Sequence, residues 1–319
     1  VQPSLFLMGP TASGKTGLAM ALADRIAAGD TPWQGVSLIS VDSAQIYRGM
    51  DIGTAKPSRE VLAQYPHALL DILDPAESYS AARFRDDART AVQAAHAKGH
   101  LPILVGGTGL YFRALENGLS ALPSASPELR EQISHEAEQL GWPALHARLA
   151  TLDAQSAQQI KPNDSQRILR ALEIHQLTGR SRSEHWTMAK SEGLAGPLVK
   201  VGLLPPERSA LHAAIATRFH DMMAAGFLDE VATLKARSDL HAGLPSIRSV
   251  GYRQLWEHLA GNCSLSQAVE RGIIATRQYA KRQITWLRSE PDLMLMNPRA
   301  PEALPSILEK LCAKAQSQP

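Results

Sequence analysis

The first apolar run, Ser4-Leu5-Phe6-Leu7-Met8, has no solvent face and is too short for a helix, which predicts a strand buried on both sides. Directly after it Leu18, Leu22 and Ile26 recur at helical spacing until Gly29 ends the pattern. Short β-branched or leucine-rich runs at 36–41, 102–105, 198–204 and 293–296 predict further strands. Helical periodicity lies between them at 80–98, with Ser80 as N-cap and Gly99 past the end, and then at 211–235 and 265–287. Strands alternating with helices of this length build a parallel sheet covered on both faces. Between Gly118 and Pro197 the alternation stops. Ser126-Pro127-Glu128 opens one helix, Pro143 a second, and Asn163-Asp164 caps a third that Gly179 ends. The chain therefore divides into an α/β core, residues 1–118 and 198–319, and an all-helical insertion, residues 119–197.

The junction of the first strand and helix carries the most specific chemistry. Gly9-Pro10-Thr11-Ala12-Ser13-Gly14-Lys15-Thr16 fits Gly-x-x-x-x-Gly-Lys-[Ser/Thr] in its required setting, strand before and helix after. In such a loop the glycines let backbone N–H groups converge on phosphate oxygens, and the helix N-terminus adds its positive end. Lys15 neutralises terminal phosphate charge and the Thr16 hydroxyl is placed to ligate Mg²⁺. A ligand bearing a di- or triphosphate is expected here.

Composition narrows the setting. With 319 residues, 44% hydrophobic and 20% charged, the chain can bury a large core. Its net charge of +2 means that any polyanion site must come from local clustering. The two cysteines, Cys263 and Cys312, lie far apart and predict a reducing, cytoplasmic compartment without a disulfide framework. No apolar run approaches the roughly 20 residues of a membrane span, and the N-terminal residues read as a strand, not a secretory leader.

The second predicted strand runs into Val41-Asp42-Ser43-Ala44-Gln45, and carboxyl ends of parallel strands face the ligand crevice. Asp42 reads either as a Mg²⁺ ligand or as a general base. The polar, turn-rich segment 47–57 that follows is a common kind of recognition loop. The third long strand ends in Gly106-Gly107-Thr108-Gly109-Leu110-Tyr111, where Thr108 offers a hydroxyl and Tyr111 an aromatic face. Basic groups cluster on the acid-free stretch 275–288. Arg277, Lys281 and Arg288 share one sector of that helix at about 100° per residue, with Arg282, Gln283 and Trp286 beside them. Lys161, Gln166, Arg167 and Arg170 form a second group, with Arg130 earlier in the insertion, and Arg248, Gly251, Tyr252 and Arg253 a third. Cations interleaved with amide and aromatic side chains suit phosphate contact plus base stacking, which points to nucleic acid.

Taken together, GPTASGKT, VDSAQIYRGMDIGTAKP, LVGGTGLYF, KPNDSQRILRALE, SIRSVGYRQ and ATRQYAKRQITWLR resemble, in order and over nearly the whole chain, the bacterial tRNA dimethylallyltransferases. The resemblance implies a P-loop NTPase-like core whose loop holds the pyrophosphate of dimethylallyl diphosphate and not ATP, with Mg²⁺ as cofactor and tRNA as acceptor. It also implies a cytoplasmic monomer. The dimethylallyl group would pass to N6 of the adenosine 3′-adjacent to the anticodon. Asp42 would take the N6 proton, Lys15 and Arg218 would stabilise the leaving group, and Ser43, Ala44, Gln45 and Thr108 would hold the base. The other basic-cluster residues, from Arg130 to Arg288, would contact tRNA. Three rival readings remain at this stage. They are a small-molecule kinase, a nucleic-acid-dependent NTPase or binding module, and an enzyme that prenylates free AMP. The last leaves the insertion and the carboxy-terminal basic helix without a purpose.

Overall fold

The computed structural model describes residues 2–120, 122–186 and 192–316; the parts of the predicted insertion at 121 and 187–191 lie outside them. The chain runs β1 (Ser4–Met8), α1 (Lys15–Ala27), β2 (Gly35–Val41), α2 (Arg59–Gln64), β3 (His67–Ala68), α3 (Ala81–Ala97), β4 (His100–Gly106) and α4 (Gly109–Asn117). Five helices follow: α5 (Pro127–Leu140), α6 (Trp142–Leu152), α7 (Ala154–Gln159), α8 (Ser165–Thr178) and α9 (Arg182–Trp186). It then continues through β5 (Leu198–Leu203), α10 (Arg208–Ala224), α11 (Phe227–Lys235), α12 (Tyr252–Leu259), α13 (Leu265–Leu287), β6 (Met294–Met296) and α14 (Ala303–Gln316). By contacts these elements form two compact units, residues 1–116 with 194–319, and residues 117–193.

The first unit is built on a six-stranded sheet in the order β3-β2-β4-β1-β5-β6, with every pairing parallel. Period-two alternation sorts the strand side chains. Leu5, Leu7, Ile103, Val105, Val199 and Val201 pack with Leu22 and Ile26 of α1 and Ile307 and Leu311 of α14. Phe6, Met8, Ile39, Val41 and Leu104 pack on the other face with Phe84 and Val92 of α3 and Phe112 and Leu115 of α4. Each fully buried side chain of this kind contributes about 1.5–3 kcal/mol. The register sets Met8 and Val41 opposite Gly106. Gly9, Asp42 and Gly107 therefore leave the sheet at one level of its carboxyl edge. A third cluster, which includes Phe219, Phe227, Tyr252 and Trp256, packs on Ile46, Tyr47 and Met50 and so anchors the segment after β2 to the carboxy-terminal helices.

Three expectations are corrected in detail. The helix expected over 211–235 is two helices, because Gly226 adopts φ 97°, a left-handed conformation that ends α10 and starts α11. The sheet also has an edge strand, β3, which is too short at two residues to leave a periodic signal. Tyr111 stacks on Phe84 at 4.4 Å and is 5% exposed, so its face belongs to the core.

The second unit packs Ile133, Leu145, Leu149, Ile168 and Leu172 around one core. Its cap signals sit where the sequence sets them, with Ser126 accepting from the Leu129 N–H and Asp164 from the Arg167 N–H. Glu173 is fully buried and accepts from the Ser126 N–H, Arg130 and Arg170. Burial pushes its carboxyl up, but these donors outweigh burial and hold it below the usual 4.5. A depressed carboxyl contributes stability in full above its unfolded value and loses it as pH falls through the folded one. Glu173→Gln should therefore cost about 2–3 kcal/mol at neutral pH. Thermal melts should also show a weaker loss of stability below pH 4.5 than in the parent. Superimposable pH profiles would show that Glu173 carries no such load.

Candidate active site

The phosphate loop joins β1 to α1. Gly14, the N-cap, lies at φ 84° and supplies no side-chain cap, and no acid occupies the first turn. The uncapped N–H groups at this helix start are donors without an intrahelical partner, which makes the terminus a seat for an anion. Lys15 donates from Nζ to the Pro10 carbonyl at 2.6 Å. Its pKa is lowered to about 8, first by burial, against the pull of the Asp42 carboxylate, with the Arg218 charge adding to the lowering. Burial likewise lowers Arg218, and Asp42 opposes it.

These groups line a cavity of about 430 Å³ together with Thr11, Ala12, Thr16, Ser43, Ala44 and Gln45. Ile215, Phe219, Met222, Pro245 and Val250 supply an apolar lining to the same cavity. The combination suits a molecule with a polyanionic head and a short hydrocarbon body. Asp42 is fixed by a local turn: its Oδ1 accepts from the N–H groups of Ala44 at 2.8 Å and Gln45 at 3.3 Å. Its Oδ2 has no hydrogen-bond partner among the described residues. The buried Thr108 hydroxyl faces the Tyr279 phenol, and that of Ser13 in the loop is buried with no hydrogen-bond partner among the described residues. Tyr279, which the sequence reading passed over, forms part of the wall. Its phenol is pushed up to about 12 by burial and then by the Asp42 charge, so at neutral pH it is a donor.

The other candidate residues divide by what they already hold. Arg248 and Arg282 are exposed and line the main cavity, with Arg282 over the Tyr279 ring at 5.7 Å. Arg277, Lys281 and Arg288 line a separate groove of about 230 Å³ with Arg208 and His212. Helix α13 thus shows two cationic flanks. Arg253 is exposed and pairs with Glu257 at 3.0 Å. In the second unit Gln166 and Arg167 are exposed, Arg167 lying 3.6 Å from Asp164, whereas Arg130 is engaged by the buried Glu173.

Several side chains read as ligand contacts are structural braces. The Gln45 amide donates to the carbonyls of Thr54 and Ala55 and accepts from Ser40, so both of its N–H donors are spent on main chain. Gln283 is held by Thr11 and Gly107. The Trp286 ring stacks near Phe112 and fills the space where a side chain at Gly109 would begin, 2.4 Å away. Tyr252 is fully buried beside Gly251, and its hydroxyl donates to Glu230. Glu230 also accepts the N–H groups of Asp51, Ile52 and Gly53, fixing the start of the loop that lines the cavity through Gly53 to Ala55. Sequence reasoning missed Glu230 because it lay inside one uninterrupted predicted helix.

A parallel sheet of P-loop NTPase-like fold carries this cavity at its carboxyl edge, beside the β1–α1 loop. Comparison with known proteins makes the class particular. Residues 45–290 match the family model described as IPP transferase. The tRNA dimethylallyltransferase of Alkalilimnicola ehrlichii is 57% identical over 288 residues, covering 90% of this chain and 88% of the relative. That of Janthinobacterium is 54% identical over 306 residues, covering 96% and 95%. Among solved structures, the full-length tRNA isopentenylpyrophosphate transferase of Bacillus halodurans aligns with TM-score 0.69 at 34% identity, over 99% of this chain and 97% of the other. A eukaryotic dimethylallyltransferase acting on tRNA aligns with TM-score 0.75 at 25% identity, over 93% and 74%. The chain belongs to the tRNA dimethylallyltransferase family, prenyltransferases that modify tRNA.

Proposed function

We propose that the Gly9–Thr16 loop binds the diphosphate of dimethylallyl diphosphate and that the enzyme transfers the dimethylallyl group to N6 of the adenosine 3′-adjacent to the anticodon. The observation that carries this reading is the cavity itself, which joins Lys15 and Arg218 to an apolar lining and to a carboxylate, Asp42. The N6 lone pair attacks C1 of the dimethylallyl group while the C1–O bond breaks, and its electron pair leaves with diphosphate. The amine is a poor nucleophile, because its lone pair is delocalised into the purine. Asp42 Oδ2 holds N6 and takes its proton as the new bond forms. Lys15, Arg218 and the loop N–H groups meet the charge that grows on the leaving oxygen. The buried Thr108 hydroxyl, beside the Tyr279 phenol, is offered to the base. The base leaves its stack to reach the buried donor.

No group of three His, Cys, Asp or Glu side chains among the described residues forms a metal cage. That fits Mg²⁺ of the phosphate-bound kind, which takes one or two protein oxygens and completes its shell with phosphate and water. The Thr16 hydroxyl, on the cavity lining, is the ligand the chain provides. Bound there, the ion would neutralise the leaving diphosphate. The enzyme acts as a monomer on cytoplasmic tRNA. Both cysteines are free, and no helix among the described residues is long and apolar enough to cross a membrane.

A phosphoryl-transfer enzyme would use the same loop but would have no substrate group for the apolar lining. Incubation with dimethylallyl diphosphate and, separately, AMP, ATP or unmodified tRNA tests the reading. Diphosphate should be released with tRNA alone, and transfer to AMP or turnover of ATP would reject it.

The helical unit, residues 117–193, supplies a second grip on the tRNA through the exposed Lys161, Gln166 and Arg167. The groove on α13 supplies another. Replacing Arg277, Lys281 and Arg288 together with Ala should weaken tRNA binding and lower the slope of log affinity against log salt by about 2–3. An unchanged slope would make this groove a solvated face.

A further inference from the structure

Lys281 and Arg282 are exposed, and the next residue of α13, Gln283, is buried. Its carboxamide reaches the floor of the site. Gln283 Oε1 accepts the main-chain N–H of Thr11 at 3.0 Å, and Nε2 donates to the carbonyl of Gly107 at 3.0 Å. Thr11 belongs to the phosphate loop and Gly107 follows β4, while Gly9 of the loop is itself bonded to Gly106. One amide thus joins the phosphate loop, the turn after β4 and the helix bearing the cations. A Cβ on Gly107 would stand 2.1 Å from Nε2, so only glycine admits the amide. One turn either side along the same helix, Tyr279 walls the cavity and Trp286 packs on Gly109.

We propose that Gln283 is a positioning residue that sets the phosphate loop from α13, so that RNA held by the helix and diphosphate held by the loop bind cooperatively. This rests on the function proposed above and goes beyond it. One donor and one acceptor position of the carboxamide are engaged by main chain. Its part is to fix where the Thr11 main chain stands, which decides how the loop N–H groups meet a phosphate. An α-helix moves as a rod, so a shift of α13 made when Lys281, Arg282 and Arg288 engage RNA phosphates is delivered through Gln283 to the loop. Coupling of this kind is reciprocal, and a change of 5–150-fold is typical.

The test is calorimetry with inorganic diphosphate and Mg²⁺, with and without an anticodon stem-loop RNA, on the wild type, Gln283→Ala and Gln283→Glu, alongside thermal melts. In the wild type RNA should tighten diphosphate binding by at least about 5-fold. Gln283→Ala should weaken diphosphate binding about 10-fold and shrink the effect of RNA to within about 2-fold, while affinity for RNA alone stays near the parent. Gln283→Glu keeps the acceptor for Thr11 but sets a carboxylate against the Gly107 carbonyl, and should fall between the two. It is the variant to read if the alanine form does not fold. Gly107→Ala, whose Cβ would meet both the amide and the Gly9 carbonyl of the loop, should weaken diphosphate binding at least as much as Gln283→Ala. The proposal is overturned by a wild type without coupling, by Gln283 variants that keep it, or by variants that lose RNA binding while diphosphate binding is untouched. Failure of the wild type to prenylate tRNA would count against the function, and is read in a separate assay.

Discussion

Asp42→Asn should bind both substrates with near-normal affinity and carry out a single turnover about 10²–10⁴-fold more slowly. The replacement keeps the size of the side chain and an oxygen able to accept from the N–H groups of Ala44 and Gln45, so the turn after β2 persists. What it removes is a group able to accept the N6 proton. If Asp42 served mainly as a metal ligand, the change would instead weaken metal-dependent donor binding, and additional Mg²⁺ would restore the rate. Rapid-quench measurements across a Mg²⁺ titration separate the two, and full recovery at high metal would falsify the general-base role.

The second large effect belongs to Lys15. Lys15→Ala should weaken binding of dimethylallyl diphosphate and slow the chemistry by about 10²–10³-fold together, leaving tRNA affinity near normal. Both constants move because the ammonium meets diphosphate in the ground state and meets it more strongly as the leaving group gains charge. A pH signature accompanies this. With its pKa lowered to about 8 by burial and the neighbouring Arg218, Lys15 is charged below that value and neutral above it. Donor affinity should fall as pH rises through about 8, with proton uptake on binding, and the alanine variant should lack this step. Calorimetry in buffers of different ionisation enthalpy reads it directly. A variant that loses tRNA binding while keeping its donor affinity would place Lys15 elsewhere.

What the sequence made legible was what lies close along the chain. The β1–loop–α1 unit could be read because its strand, glycines and helix repeat are contiguous, and Ser80, Ser126 and Asp164 cap the helices they precede. Residue positions around the cavity were largely legible too, since carboxyl ends of parallel strands point to one edge. Roles were less so. Gln45 and Gln283 are amides amid recognition motifs, yet the carbonyls and N–H groups they brace are set by folding, in the case of Thr11 from 272 residues away. The same holds for Arg130, whose partner Glu173 becomes a buried carboxylate only when α5 and α8 pack together. Tyr279 was hidden among basic residues whose charge drew the reading to the opposite flank of α13. The separation of Arg282 from Arg277, Lys281 and Arg288 follows from what packs against each side of that helix. Periodicity gives the angle between side chains but not their neighbours.

The most direct test of the proposed reaction is to map the product. Unmodified tRNA is incubated with the enzyme, Mg²⁺ and dimethylallyl diphosphate, then digested, and its nucleosides are identified by mass spectrometry while released diphosphate is counted. The proposed reaction should leave one dimethylallyl group on N6 of the adenosine 3′-adjacent to the anticodon for each diphosphate released. Modification at another position, or diphosphate released without a modified nucleoside, would contradict it.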